Sequence, residues 1–249
     1  MQELIHYVRH NFARRENGLI QLLLLNALAF VLLLCAQIVQ RLTGFPGYAL
    51  LCYYTQLPAS WWGWLWRCWT LVSYGFVHLS LGRLAFNMLY LYSFGSIVTY
   101  LLGSKQLVRL YVLGTVVGGL AFLLAGALLP QQALLRVAMG YPLCLAGAGP
   151  ALYAVLAGAV AFAPQFPVAF VPSFTLRLKH VLLLFLAWPL WQLAQEDALT
   201  SVALLSATLA GYLYVRQLQR GQLTWLHRGL GKLQSWVDRR RGRGGAKQL

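Results

Sequence analysis

Charge is what this chain has least of. Only 10% of its 249 residues are Asp, Glu, Lys or Arg, against about 25% in an ordinary soluble domain. A water-soluble protein of this length could not cover its surface with so few. Acid is scarcer still, with five Asp and Glu against 20 Lys and Arg. Cysteine is also sparse: four in a chain this long exclude a disulfide framework, although Cys52 and Cys68 share one segment and leave a single bridge conceivable. Absent altogether are a His-Glu-x-x-His zinc motif, a Gly-rich phosphate loop and a Cys-x-x-Cys pair. No cofactor and no metal is expected.

What is plentiful is apolar: 59% of the residues are hydrophobic or aromatic. They fall in uncharged runs over 17–40, 84–104, 110–135, 137–176, 180–195 and 198–215. A bilayer-spanning helix needs about 20 such residues. The runs are continuous rather than alternating, which excludes a membrane β-barrel. The expected fold is all-α: a polytopic membrane protein of six transmembrane helices, with a large outer-face loop between helices 1 and 2. A short N-terminal segment (1–16) precedes the membrane domain (17–216), and a basic tail (217–249) follows it.

The net charge of +15 suggests nucleic acid until its placement is considered. Six spans put both termini on one side. All but four of the Lys and Arg residues, namely Arg41, Arg67, Arg83 and Arg136, fall on that side. Short cytoplasmic loops carry the Lys/Arg excess, so both termini are expected in the cytoplasm. Anionic lipid headgroups suffice as partner for the tail, and no nucleic-acid motif accompanies the charge. Within the tail, Leu226, Leu230, Leu233 and Val237 predict an amphipathic helix on the inner leaflet. Ile5, Val8 and Phe12 predict a second, short one near the N-terminus.

Individual segments carry further signals. Residues 43–66 hold Pro46, Pro58 and a cluster of Trp and Tyr, which favour the membrane interface. The third span contains Gly114-x-x-x-Gly118, and the sixth spaces Ala203, Ala207 and Gly211 four apart. Small residues at that interval let helices approach closely in lipid. Gly147-Ala148-Gly149-Pro150 predicts a fourth helix that starts at membrane depth and is only about 20 Å long. Irregular backbone survives there only if it is buried or lines a wet cavity. The fifth span is short and contains Pro189.

The second span carries Arg83 and Asn87, four apart and hence on one face. His78 lies about 140° away at 100° per residue. An arginine inside a span costs about 2.5 kcal/mol or more on insertion scales, and no span offers an acid to pair with it. A wet, outward-open cavity is expected beside Asn87 and the Gly147–Pro150 helix start. In it, Arg83 would donate to carbonyls of that loop or to water.

Several of these motifs together resemble the rhomboid intramembrane serine proteases. They are Ser73-Tyr74-Gly75-Phe76-Val77-His78, Phe86-Asn87-Met88-Leu89, Phe94-Gly95, Gly103-Ser104 with Tyr111, Gly147-Ala148-Gly149-Pro150-Ala151-Leu152-Tyr153, and Leu209-Ala210-Gly211-Tyr212. Trp69-Thr70 is similar to the family's Trp-Arg pair, with Thr in the Arg place. The resemblance implies a six-helix fold, a nucleophilic serine at the start of the fourth helix and a histidine base on the sixth. It further implies an oxyanion site made by an asparagine and a histidine on the second helix. Carried onto this chain, the serine position is Gly149 and the base position Leu204. Asn87 is present, its histidine partner is replaced by Arg83, and the acid expected after Phe94-Gly95 is Thr99. Gly149 has no nucleophile and Leu204 cannot accept a proton. The resemblance therefore implies a pseudoprotease that binds transmembrane segments of client proteins without cutting them. Two alternatives stand beside it. One is an active endopeptidase with a displaced dyad drawn from Ser201, Ser206 and His78. The other is a small-solute carrier or channel using the cavity at Arg83.

Overall fold

The computed structural model describes residues 17–129, 144–171, 174–194 and 197–221. The two amphipathic helices expected near the termini, the basic tail beyond 221 and Arg136 lie outside them. Four helices are long and apolar enough to cross a membrane: α1 (Gly18–Thr43), α5 (Leu81–Leu102), α6 (Ser104–Leu128) and α9 (Ala198–Gln219). Two shorter apolar helices, α7 (Gly149–Phe162) and α8 (Leu178–Ala194), complete the bundle. Between α1 and α5 run the small helices α2 (Gly47–Thr55), α3 (Trp61–Leu65) and α4 (Thr70–Ser73), then a 3-10 turn at Tyr74–Phe76.

The short helix α7 is the axis of the fold. Every residue from Pro150 to Ala161 is buried, with α6 and α9 packed along it and α5 beside it. Proline opens it without loss, because the first-turn N–H has no helical partner anyway. Close approach is made possible by glycines on the neighbours. A Cβ on Gly114 would stand 2.7 Å from the Pro150 carbonyl oxygen, and one on Gly211 would stand 2.7 Å from Ala154 Cα. One on Gly118 would run into the Pro150 ring. Lipid tails are as apolar as the helices, so it is this backbone-level contact that holds the bundle together.

Polar ties also join the helices. Asn26 is fully buried in α1. Its amide donates to the Leu22 carbonyl at 2.7 Å and to the Tyr111 hydroxyl at 3.2 Å. That hydroxyl in turn donates to the Gly75 carbonyl at 2.9 Å. One chain of bonds thus joins α1, α6 and the 3-10 turn. Asn26→Leu is expected to lower the stability of the bundle by about 1 kcal/mol, the usual scale of an interhelical bond in lipid. Reversible unfolding in bicelles measures it.

The segment between α1 and α5 is organised around Arg67. This arginine is buried and donates to the carbonyls of Gly63 and Tyr53. Its guanidinium lies 3.8 Å from the centroid of the Tyr53 ring. Thr70, in the place of the family's arginine, donates its hydroxyl to the Arg67 carbonyl at 2.7 Å. Leu57-Pro58 pairs antiparallel with Cys144-Leu145, ahead of α7. Cys52 and Cys68 are free thiols. A hairpin, Pro167–Val171 with Phe174–Arg177, leads into α8.

Candidate functional site

The polar positions of the second span are set by where its helix begins. Its helix begins at Leu81, with the Ser80 hydroxyl accepting from the Arg83 N–H at 3.4 Å. Arg83 is therefore in the first turn of α5. Arg83, Asn87 and Tyr90 follow at intervals of four and three, and so share one face. That face borders a cavity of about 530 Å³. The start of α7 forms the opposite wall with Gly147, Gly149 and Pro150. From α8 come Phe185, Trp188 and Gln192, and from α9 Thr200 and Leu204.

Gly147 has φ +111°, a conformation that disfavours any residue with a Cβ. Its N–H donates to the Tyr74 carbonyl at 2.9 Å, which fixes the loop ahead of α7. On the α8 side, Phe185 packs edge-on against Tyr90, ring centroids 4.7 Å apart, and Tyr153 donates its hydroxyl to the Phe185 carbonyl at 2.9 Å. Below the cavity, this aromatic cluster ties α8 to α5 and α7.

A histidine does stand beside Asn87, contrary to the expectation that Arg83 had displaced it. The Asn87 amide donates to His78 Nε2 at 3.0 Å, while Nδ1–H donates to the Phe76 carbonyl at 3.2 Å. The reading by helical phase fails because His78 precedes the helix, on extended backbone after Val77. Burial depresses the basicity of His78, and the Phe76 carbonyl offsets this only in part. The ring is thus a neutral imidazole whose Nε2 already accepts a bond.

Arg83 lines the cavity but departs from expectation in one respect. Its side chain is exposed, and among the described residues its guanidinium has neither a hydrogen bond nor an ion pair. It does not donate to carbonyls of the 147–150 loop. A first-turn position keeps its head at the cavity mouth. The sequence does not flag two further groups of the lining: among the described residues, the buried Tyr90 OH and Gln192 Oε1 have no hydrogen-bond partner. No sequence period marks them, because their isolation is a property of how α5 and α8 meet.

Gly149 and Leu204 face one another. A Cβ on Gly149 would stand 3.2 Å from Leu204 Cδ2. Ser201 and Ser206 do not reach the cavity. Their hydroxyls donate to the helix carbonyls of Asp197, at 2.8 Å, and Ala203, at 3.1 Å. Thr99 behaves likewise, donating to the Gly95 carbonyl at 2.8 Å. Among the described residues, no group of His, Cys, Asp and Glu is arranged to hold a metal.

A family model described as Rhomboid domain matches residues 65–220, well over half the chain. The chain belongs to the rhomboid family. No match is found among curated proteins. The matched region takes in α4 through α9 and every residue lining the cavity. What distinguishes this rhomboid is the chemistry of those linings. The hydroxyls on the cavity wall belong to Thr200, Tyr90 and Tyr153, and none of them stands at the start of α7.

Proposed function

We propose that this rhomboid is a pseudoprotease: it receives transmembrane segments of client membrane proteins in the cavity between α5 and α8 and releases them uncut. The observation that carries the reading is the facing pair Gly149 and Leu204. Peptide hydrolysis through an acyl-enzyme needs a nucleophile with a base in hydrogen-bond reach, and this pair supplies a hydrogen atom and an isobutyl group. The cavity around it is kept, with Asn87 and a neutral His78 on one wall. A displaced dyad gains little support. Ser201 and Ser206 spend their hydroxyls within α9, and His78 Nε2 would have to surrender the Asn87 bond to act as a base. For the basic tail the proposed partner remains anionic lipid headgroups.

The test uses the full chain in liposomes with a fluorescently labelled transmembrane peptide whose helix is weakened by glycine. Energy transfer to the labelled protein is expected, with the peptide intact after prolonged incubation. Cleavage that is lost on Ser201→Ala, Ser206→Ala, Thr200→Ala or His78→Ala would replace this reading with an active endopeptidase.

A further inference from the structure

Five polar groups of the cavity are not satisfied equally. Asn87 and His78 bond each other at 3.0 Å. Arg83 holds a full positive charge at the mouth with no partner among the described residues. Tyr90 is buried, and among the described residues neither its hydroxyl nor Gln192 Oε1 has a hydrogen-bond partner. Such groups are rare in folded proteins and costly to leave unmade. Inside a bilayer the alternative of solvation is poorer still.

The pattern describes an occupant. Arg83 asks for an anion, and a guanidinium suits a planar carboxylate best. The rest of the wall, including Phe86, Leu184 and Trp188, is apolar and accepts a hydrophobic segment.

We infer that the clients are transmembrane segments bearing an Asp or Glu that pairs with Arg83 at the cavity mouth. This rests on the client-binding reading above. An unpaired acid in a membrane helix and an unpaired arginine in a membrane cavity are each expensive in lipid. Their meeting relieves both, so the charge selects the client. Arg83 lies in the first turn of α5 and Tyr90 two turns on. The acid therefore belongs toward the end of the client segment that lies level with the start of α5.

The experiment measures binding of a series of labelled transmembrane peptides to the full chain in neutral phosphatidylcholine liposomes. One residue is Glu, Gln or Lys, stepped along the segment. Glu peptides in one register are expected to bind about tenfold tighter than their Gln counterparts, the scale of one charge-assisted pair. Arg83→Leu should erase that preference, Arg83→Lys should keep most of it, and Arg83→Glu should transfer it to the Lys peptide. Equal binding of Glu and Gln peptides, or a preference that survives Arg83→Leu, overturns this inference and leaves client binding standing. If no peptide binds and oleate does so in an Arg83-dependent way, the carboxylate is a lipid's, and both readings fall together.

Discussion

On the pseudoprotease reading, Gly149→Ser combined with Leu204→His is expected to create intramembrane cleavage that the native chain would lack. The backbone allows it. Gly149 is not among the positive-φ glycines, so a serine there is unstrained. Its Cβ would crowd only the Leu204 methyl at 3.2 Å, and that methyl is what the second substitution removes. A histidine on α9 would then present its ring to the serine hydroxyl across the α7–α9 contact. Asn87 lines the same cavity, and on the resemblance it would steady an oxyanion there. Either substitution alone should do almost nothing, since nucleophile and base act as a unit. The double variant should exceed each single one by roughly 10²–10⁴-fold, the contribution of a general base. It should also be labelled by a fluorophosphonate at residue 149. Equal inactivity of all three variants, with the fold intact, would mean that these facing positions are not the remnant of a dyad.

Gly211→Val is expected to be the most damaging single change in the bundle. The space beside Gly211 is filled by the backbone of Ala154, whose Cα stands 2.7 Å from the site of an added Cβ. Backbone cannot rotate away as a side chain can. α7 and α9 would have to separate along their length, and α7 is buried on all sides. A loss of about 3 kcal/mol is expected, read as a shift in unfolding in bicelles. Gly82→Val, on the exposed first turn of α5 with nothing within 4 Å, serves as the control and should change stability little. Similar losses for both would show that the α7–α9 contact is not what holds the bundle.

Much of this arrangement is legible in the chain. The uncharged runs over 17–40, 84–104, 180–195 and 198–215 locate α1, α5, α8 and α9 to within about four residues, because burial in lipid leaves composition little freedom. The start of α7 is readable from Gly149-Pro150, and the tight seams from Gly114, Gly118 and Gly211. The misreadings share a cause. Helical phase misplaces His78, because α5 begins only at Leu81. Arg83 was given loop carbonyls that its place in the first turn does not reach. Arg67, Tyr90 and Gln192 owe their roles to segments far away in sequence. Neither period nor propensity records which partners a fold brings near, or fails to bring near, a polar atom.

The placement of α7 also fixes an order of events during biosynthesis. At about 1.5 Å per residue, its 14 residues make a helix near 21 Å, too short to settle across a bilayer unaided. The glycine faces that receive it are made at different times. Gly114 and Gly118 precede it on the ribosome, while Gly211 comes well after. At 5–20 residues per second, α7 waits several seconds half-housed, with its α9 side open to lipid. Anything that shields apolar helices during insertion acts on this chain in that interval, and a release before α9 is complete would leave the cavity without its second wall.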